Sequence, residues 1–295
     1  MKHIFVLAAL CFSALIHSAT AQAATAQAAT RSAPADGVVA AEREFAGYAA
    51  THGWVAAFKK YAAADGIVLR PEPINAKESL ATQPDEPADT SLKWWPVWAG
   101  IAKSGDLGFT TGPFTVGDDK GFGHYFTVWA KQNDGTWRWI FDGGPRNDAK
   151  STLGPTTEPA QLSVATVSSG TAEKAWAEVG SLEAMMAAVA ATNARSAYAA
   201  HLAVDARVMG SPAQPAVGRT ASLAEIETRG PTMDMKPLGG RASSAGDFVF
   251  TYGSATWAQN GAPRSGYYVR IWQKRIEGWR LLFDEVLAKP PRKAD

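Results

Sequence analysis

Two octapeptides of this chain read almost alike: GDLGFTTG, Gly105 to Gly112, and GDFVFTYG, Gly246 to Gly253, starting 141 residues apart. In each, Gly permits a tight turn and Asp can bond nearby backbone amides. The residues after this pair alternate as a strand does. Leu107, Phe109 and Thr111 fall on one face and Gly108 and Thr110 on the other. Phe248, Phe250 and Tyr252 take the first set's places in the second copy. Capping accounts for Asp106 and Asp247 without any chemistry.

The likeness extends both ways from the octapeptide. Val128-Trp129 answers Ile271-Trp272, and DGTWRWIFD, Asp134 to Asp142, answers EGWRLLFD, Glu277 to Asp284. Upstream, Thr51 falls opposite Thr192 and Asp65 opposite Asp205. The separation stays near 141, with slippage at loops, where length changes are tolerated. The octapeptide occurs twice because a domain does.

Each half has the same order of elements. Ala40 to Ala64 reads as helix with a break at Gly53, then DGIVLR, Asp65 to Arg70, is a short strand stopped by Pro71. Leu107 to Val116, Phe122 to Lys131 and Thr136 to Asp142 are strands, the last two joined at Asn133-Asp134-Gly135, a hairpin signal. Gly143 to Gly170 is rich in Pro, Thr, Ser and Gly and reads as a linker outside either sheet. Thr171 to Ala203 is helical, Asp205 to Met209 a short strand and Ser222 to Thr228 a helical turn. Phe248 to Trp257, Tyr267 to Arg275 and Trp279 to Val286 complete the second set of strands.

Composition bounds the function. The 295 residues carry a formal net charge of +1, so no charge-driven attraction to nucleic acid is implied. Met1-Lys2-His3, the apolar run Ile4 to Ile16 and Ala19-Thr20-Ala21 have the pattern of a secretory leader over residues 1–21. A secreted or periplasmic location is expected, with no membrane attachment after cleavage. The single cysteine, Cys11, lies within that leader, which excludes disulfides and thiolate chemistry from the processed chain.

Helices, a short strand, a helical turn and long antiparallel strands, carried by FKKYAAADGIVLRP (Phe58 to Pro71), SGDLGFTTG (Ser104 to Gly112) and FTVWAKQNDGTWRWIFDGG (Phe126 to Gly144), resemble the nuclear transport factor 2-like superfamily, most of all its SnoaL-like members. The resemblance implies an α+β fold of two tandem cone-shaped domains, each a curved, mostly antiparallel sheet wrapped on N-terminal helices. It places a flexible segment at 22–37, the first domain at 38–144, a linker at 145–171, the second domain at 172–287 and a basic tail at 288–295. It also implies a pocket at the open end of each cone. Isomerases of the superfamily hold a catalytic Asp before the Pro that ends the first strand. Here Arg70 precedes Pro71, and Gly210 or Ser211 precedes Pro212, so that carboxylate is absent from both copies.

Candidate catalytic residues are His124, able to titrate near neutrality, and Asp142, at a strand end where a carboxylate meets the pocket mouth. Trp94, Trp95 and Trp98 are the densest aromatic cluster and suit a flat apolar ligand or a core. Trp94 and Trp98, with Tyr48, Phe109, Tyr252, Tyr268 and Asp284, are the candidate ligand-binding residues. No His or acid spacing suggests a metal, and no cofactor motif is present. Three functions remain open: binding of a small apolar or aromatic molecule, a cofactor-free isomerase, cyclase or dehydratase, or a non-catalytic interaction module. Tyr125, Thr127 and Trp129 fall on one strand face and His124, Phe126 and Val128 on the other, so neither face is polar. This predicts two sheets packed on each other in an internal pseudo-dimer, and a monomeric protein.

Overall fold

The computed structural model describes residues 34–85, 91–117 and 119–290. The expected leader, Cys11, most of the 22–37 segment and the end of the basic tail lie outside the described residues. Among the described residues no helix is long and apolar enough to cross a membrane.

The first half runs α1 (Asp36–His52), α2 (Trp54–Tyr61), β1 (Ala62–Leu69), β2 (Pro73–Asn75), α3 (Ala76–Ala81), β3 (Lys93–Trp94), β4 (Trp98–Ile101), β5 (Leu107–Val116), β6 (Gly121–Lys131), β7 (Trp137–Gly143), β8 (Arg146–Asn147) and β9 (Ala160–Gln161). The second runs α4 (Ala172–Ala190), α5 (Ala194–His201), β10 (Leu202–Met209), β11 (Ala216–Val217), α6 (Arg219–Glu227), β12 (Met233–Ala242), β13 (Phe248–Gln259), β14 (Ala262–Arg275) and β15 (Gly278–Ala288). The halves repeat one α+β topology on two separate sheets, ordered β2-β1-β7-β6-β5-β4-β9 and β11-β10-β15-β14-β13-β12. In each, the first long strand pairs parallel with the last, β1 with β7 and β10 with β15, and the other long strands pair antiparallel.

Local chemistry sets the breaks. Gly53, at φ +85°, separates α1 from α2 with its N–H on Ala49 O, a conformation that costs glycine nothing. The second copy breaks instead at Asn193, whose Oδ1 accepts the Ser196 N–H at 2.8 Å and caps α5.

Two expectations change. The 145–171 segment is not outside the sheets: β8 pairs with β6, and β9 pairs parallel with β4. Two-residue strands carry no periodicity, so composition alone made this stretch read as linker. The edge strand β12, which the sequence pattern does not reveal, contains Pro237, Gly239 and Gly240 and has a bulge between Pro237 and Gly239. Such residues depress strand propensity and are tolerated at an edge.

The sheets face each other. Phe109 lies 6.1 Å from Phe248, Phe126 stacks on Phe283 at 3.8 Å and Phe141 meets Phe250 at 5.3 Å. Each aromatic pair contributes roughly 0.5–1.5 kcal/mol beyond its buried area. One core cluster runs through both halves, and a second lies between α1, α2 and the first sheet. The octapeptide turns take part in the pairing. Gly105 and Gly246 share φ +69°, and each following Asp caps the other copy's turn. Asp106 Oδ2 accepts the Ser244 N–H, and Asp247 Oδ2 accepts the Lys103 N–H, both at 2.9 Å. Capping was expected within each turn, but the exchange across halves makes these aspartates reciprocal ties, as twofold-related contacts are.

Candidate functional site

The face of the first sheet opposite the pairing face meets α1 and α2. Between them lies a cavity of about 330 Å³. Phe45, Phe58, Trp94, Phe114 and Tyr125 supply aromatic walls, and Val68, Leu69 and Leu92 aliphatic ones. Asp142 is the carboxylate on its surface, and Arg70 and Arg146 stand exposed at the rim. Arg70 spreads over the Trp54 ring at 4.8 Å and Arg146 over Phe114 at 5.5 Å.

Strand alternation explains how a polar group reaches this apolar space. Tyr125, Thr127 and Trp129 point to the helices while Phe126 and Val128 point to the other sheet. Thr127 stands directly opposite Asp142 in the β6–β7 ladder and donates its hydroxyl to Oδ2 at 2.7 Å. A second acid lies deeper. Glu42 of α1 accepts Trp94 Nε1 at 2.6 Å, Trp129 Nε1 at 3.1 Å and the Thr110 hydroxyl.

Burial pushes both carboxyls up to about 7. For Asp142 it outweighs the Thr127 bond and the longer-range attraction of Arg70. For Glu42 it outweighs the bonds from Thr110 and Trp94, and the Asp142 charge adds to the rise. Neither acid has an ion-pair partner among the described residues. Tyr125 is buried beside them, and burial holds its phenol well above the ordinary range. Its Oη lies near the Thr110 hydroxyl, yet it forms no hydrogen bond of normal geometry.

The second half carries the same frame with one change of consequence. Glu183 accepts from the Thr251 hydroxyl and Trp272 Nε1, as Glu42 does from Thr110 and Trp129. Asp284 stands where Asp142 does, opposite β14 in the β14–β15 ladder, but its partner there is Arg270. The Arg270 guanidinium is fully buried. It pairs with Glu183 and with Asp284 (2.8 Å), donates to Tyr198 Oη at 2.9 Å and lies 4.0 Å over the Tyr268 ring. Arg229 adds a second buried pair with Asp284. Burial again opposes ionisation, but the two guanidiniums overcome it and Asp284 sits below the ordinary carboxylate range.

The structure sorts the sequence candidates. Trp94 and Asp142 line the cavity. His124 does not: it is buried on the pairing face with Nδ1 2.8 Å from Asn147 Oδ1, and Asn147 Nδ2 donates to Ala213 O of the second half. Burial lowers its pKa more than the Asn147 bond raises it. His124 is a joint between halves rather than an acid or base at a pocket. Tyr48 stacks on His52 at 3.9 Å on the outer side of α1. Trp98 and Phe109 pack on each other at 4.7 Å in the core shared by the sheets. Tyr252 lies by Phe141 and Phe250 at the rim of the sheet pairing. Tyr268 and Asp284 belong to the filled second site.

Sequence reasoning missed Glu42, Tyr125 and the rim arginines. Glu42 had a signal: Val38, Glu42, Phe45 and Ala49 form one i, i+4, i+7, i+11 stripe, and Val179, Glu183, Met186 and Ala190 repeat it. An acid inside an apolar stripe, recurring at the repeat spacing, marks a buried carboxylate.

A larger open cleft of about 1260 Å³ is lined by Trp257, Arg264, Glu72 and Lys289 among others. Its Lys289 and Glu72 pair with each other, and it lacks the convergence of rings on an acid. Among the described residues no three His, Cys, Asp or Glu side chains could hold a metal.

No protein-family model matches the chain, and no curated protein matches it. Solved structures do. An NTF2-like protein of unknown function from Pseudomonas putida is 13% identical, covers 42% of this chain and 93% of its own, with a TM-score of 0.35. A ketosteroid isomerase-like protein from Erwinia carotovora is 21% identical, covers 39% and 94%, and has a TM-score of 0.32. An NTF2-like protein with a cystatin-like fold from Novosphingobium aromaticivorans is 16% identical, covers 39% and 82%, with a TM-score of 0.31. Each match spans about two fifths of the chain.

Proposed function

We propose that the first half binds a small, largely aromatic molecule in the cavity between α1, α2 and its sheet, while the second half serves as a structural partner. The observation that carries this reading is the convergence of five aromatic rings, one of them the unpartnered Tyr125 phenol, on a buried carboxyl in a space of about 330 Å³. Apolar walls with a few placed polar groups are the usual make-up of a small-molecule site. Isothermal titration of the full chain with monocyclic aromatic probes tests it. One saturable site is expected, weakened at least about fivefold by Phe114→Ala, which removes a wall ring that donates no hydrogen bond. Unsaturable binding, or binding indifferent to Phe114, overturns it.

A second reading, cofactor-free acid–base catalysis, is favoured by one observation. Asp142, at about 7, shares the cavity with the Tyr125 hydroxyl, which would set a proton acceptor and a donor on one ligand. Asp142 would carry that role alone, since His124 faces away. Asp142→Asn that kept ligand binding but abolished turnover would support catalysis, whereas equal loss of both would leave a binding site.

A further inference from the structure

From the filled site of the second half, we infer that the first-half cavity takes the positively charged head of a small organic cation, an ammonium, amidinium or guanidinium group on an aromatic or apolar body. This inference rests on the cavity being a ligand site and names the ligand's charge.

The two copies compare position by position. Arg270 and Thr127 hold the same place in the ladders: Thr251 pairs with Arg270 and Thr110 with Thr127, and their other neighbours are Asp284 and Asp142. The Arg270 head therefore shows which group the frame accepts. It is met by two carboxylates, by the face of Tyr268 and by Tyr198. The first half keeps two carboxylates in Glu42 and Asp142 and two rings in Tyr125 and Phe58, the last without the hydroxyl of Tyr198, and has threonine in place of Arg270. Asp142, Tyr125 and Phe58 line the cavity of about 330 Å³, and Tyr125 Oη is buried without a partner, as Tyr268 Oη also is in the second half.

A cation entering there meets an aromatic face and a buried carboxylate, and cation–π attraction is strongest where the cation is desolvated. An anionic ligand would force a like charge against Asp142. Arg70 attracts Asp142 from longer range, but among the described residues neither rim arginine forms an ion pair with it: Arg70 lies over the Trp54 ring and Arg146 over Phe114.

The groups facing Asp142 are Glu42 from α1, Arg70 after β1, Tyr125 from β6 and Arg146 from β8. Glu285 of β15 acts on it from the second sheet. With Asp142 at about 7, cation binding strengthens as pH rises through that value, because the carboxylate form is the one that pairs.

Calorimetric titration with benzylammonium, benzyl alcohol and benzoate, at pH 5.5 and 8, tests the inference on the full chain. Benzylammonium should bind at least about tenfold more tightly than the alcohol at pH 8, with a smaller margin at pH 5.5. Asp142→Asn should reduce it to the level of the alcohol. Thr127→Arg, which installs the second half's own cation, should abolish its binding. If that variant does not fold, the three probes on the wild type and on Asp142→Asn decide the matter. Benzyl alcohol or benzoate binding as tightly as the cation overturns the inference and leaves an aromatic site standing. No binding by any of the three removes both.

Discussion

Replacing Arg270 with threonine gives the second half the residue that the first half holds at the same position. The structure fixes the losses: ion pairs to Glu183 and Asp284, a hydrogen bond to Tyr198 Oη and the ring stack on Tyr268, all fully buried. The groups left behind matter more. Asp284 keeps Arg229, but Glu183 is left with only the Thr251 and Trp272 donors, one fewer than Glu42, which also has Trp94 Nε1. Removing one partner of a buried pair costs about 3–5 kcal/mol, because a charge stays behind without compensation. At roughly 2–4 °C per kcal/mol for a chain of this size, the melting temperature should fall by about 6–20 °C. Denaturant unfolding, checked for coincidence of fluorescence and circular dichroism, measures the loss directly. Adding Glu183→Gln should restore part of the stability. A stability within about 1 kcal/mol of the parent would refute the account of the second half as a site closed by charge.

Two other outcomes rest on the same geometry. Glu42 and Asp142 are raised above their unfolded values, so these two carboxyls hold protons in the folded chain that the unfolded chain has released between about pH 4 and 7, and their contribution to stability declines across that window. Glu42→Gln should flatten its part of that decline by up to about 3 kcal/mol in urea titrations at pH 5 and 8, and an undiminished slope would show that Glu42 is not the titrating group. A fragment of residues 34–166 exposes Phe109, Phe126 and Phe141, whereas the whole chain covers them with Phe248, Phe250 and Phe283. Light scattering should find the full chain monomeric and the fragment dimeric or aggregated, and a monodisperse monomeric fragment would count against the pairing.

The duplicated fold was legible because the octapeptide, the Val128-Trp129 pair and the strand ending in Asp142 recur at one spacing, and each recurrence marks the same place on a sheet. Elements without periodicity escaped. The edge strand β12 hides behind Pro237, Gly239 and Gly240, and β8 and β9 are two residues each. Of the site, Asp142 was legible as a carboxylate at a strand end, and Trp94 as part of an aromatic cluster. His124 misled because alternation puts it one residue from Tyr125 and hence on the opposite face. Trp98 and Phe109 misled because a ring facing a second sheet and a ring facing a cavity look the same in sequence. Whether Glu42 or Glu44 turns inward depends on the helical stripe, and only Glu42 shares it with Phe45.

The two acids of the first half do not stand on the same footing. Glu42 has a structural reason to be there: it gathers two indole N–H groups and a hydroxyl, tying α1 to β3, β5 and β6, and Glu183 keeps one indole and the hydroxyl in a half whose site is closed. Asp284 has one as well, since two buried guanidiniums depend on it. Asp142 has none of this kind. It receives one hydroxyl from Thr127, which the side-chain oxygen of asparagine would accept as well, without the cost of burying an ionisable group. Burial drives its pKa up and no cation among the described residues sits within ion-pair distance, so the carboxylate is held at a loss. A group that destabilises the free protein and lines its aromatic cavity is stabilised when something enters that cavity and pairs with it. The expectation that separates this from a structural role is concrete. Asp142→Asn should raise the free protein's stability at pH 8, where the carboxylate is ionised, and leave it nearly unchanged at pH 5. A variant less stable than the parent at both values would mean that Asp142 serves the fold.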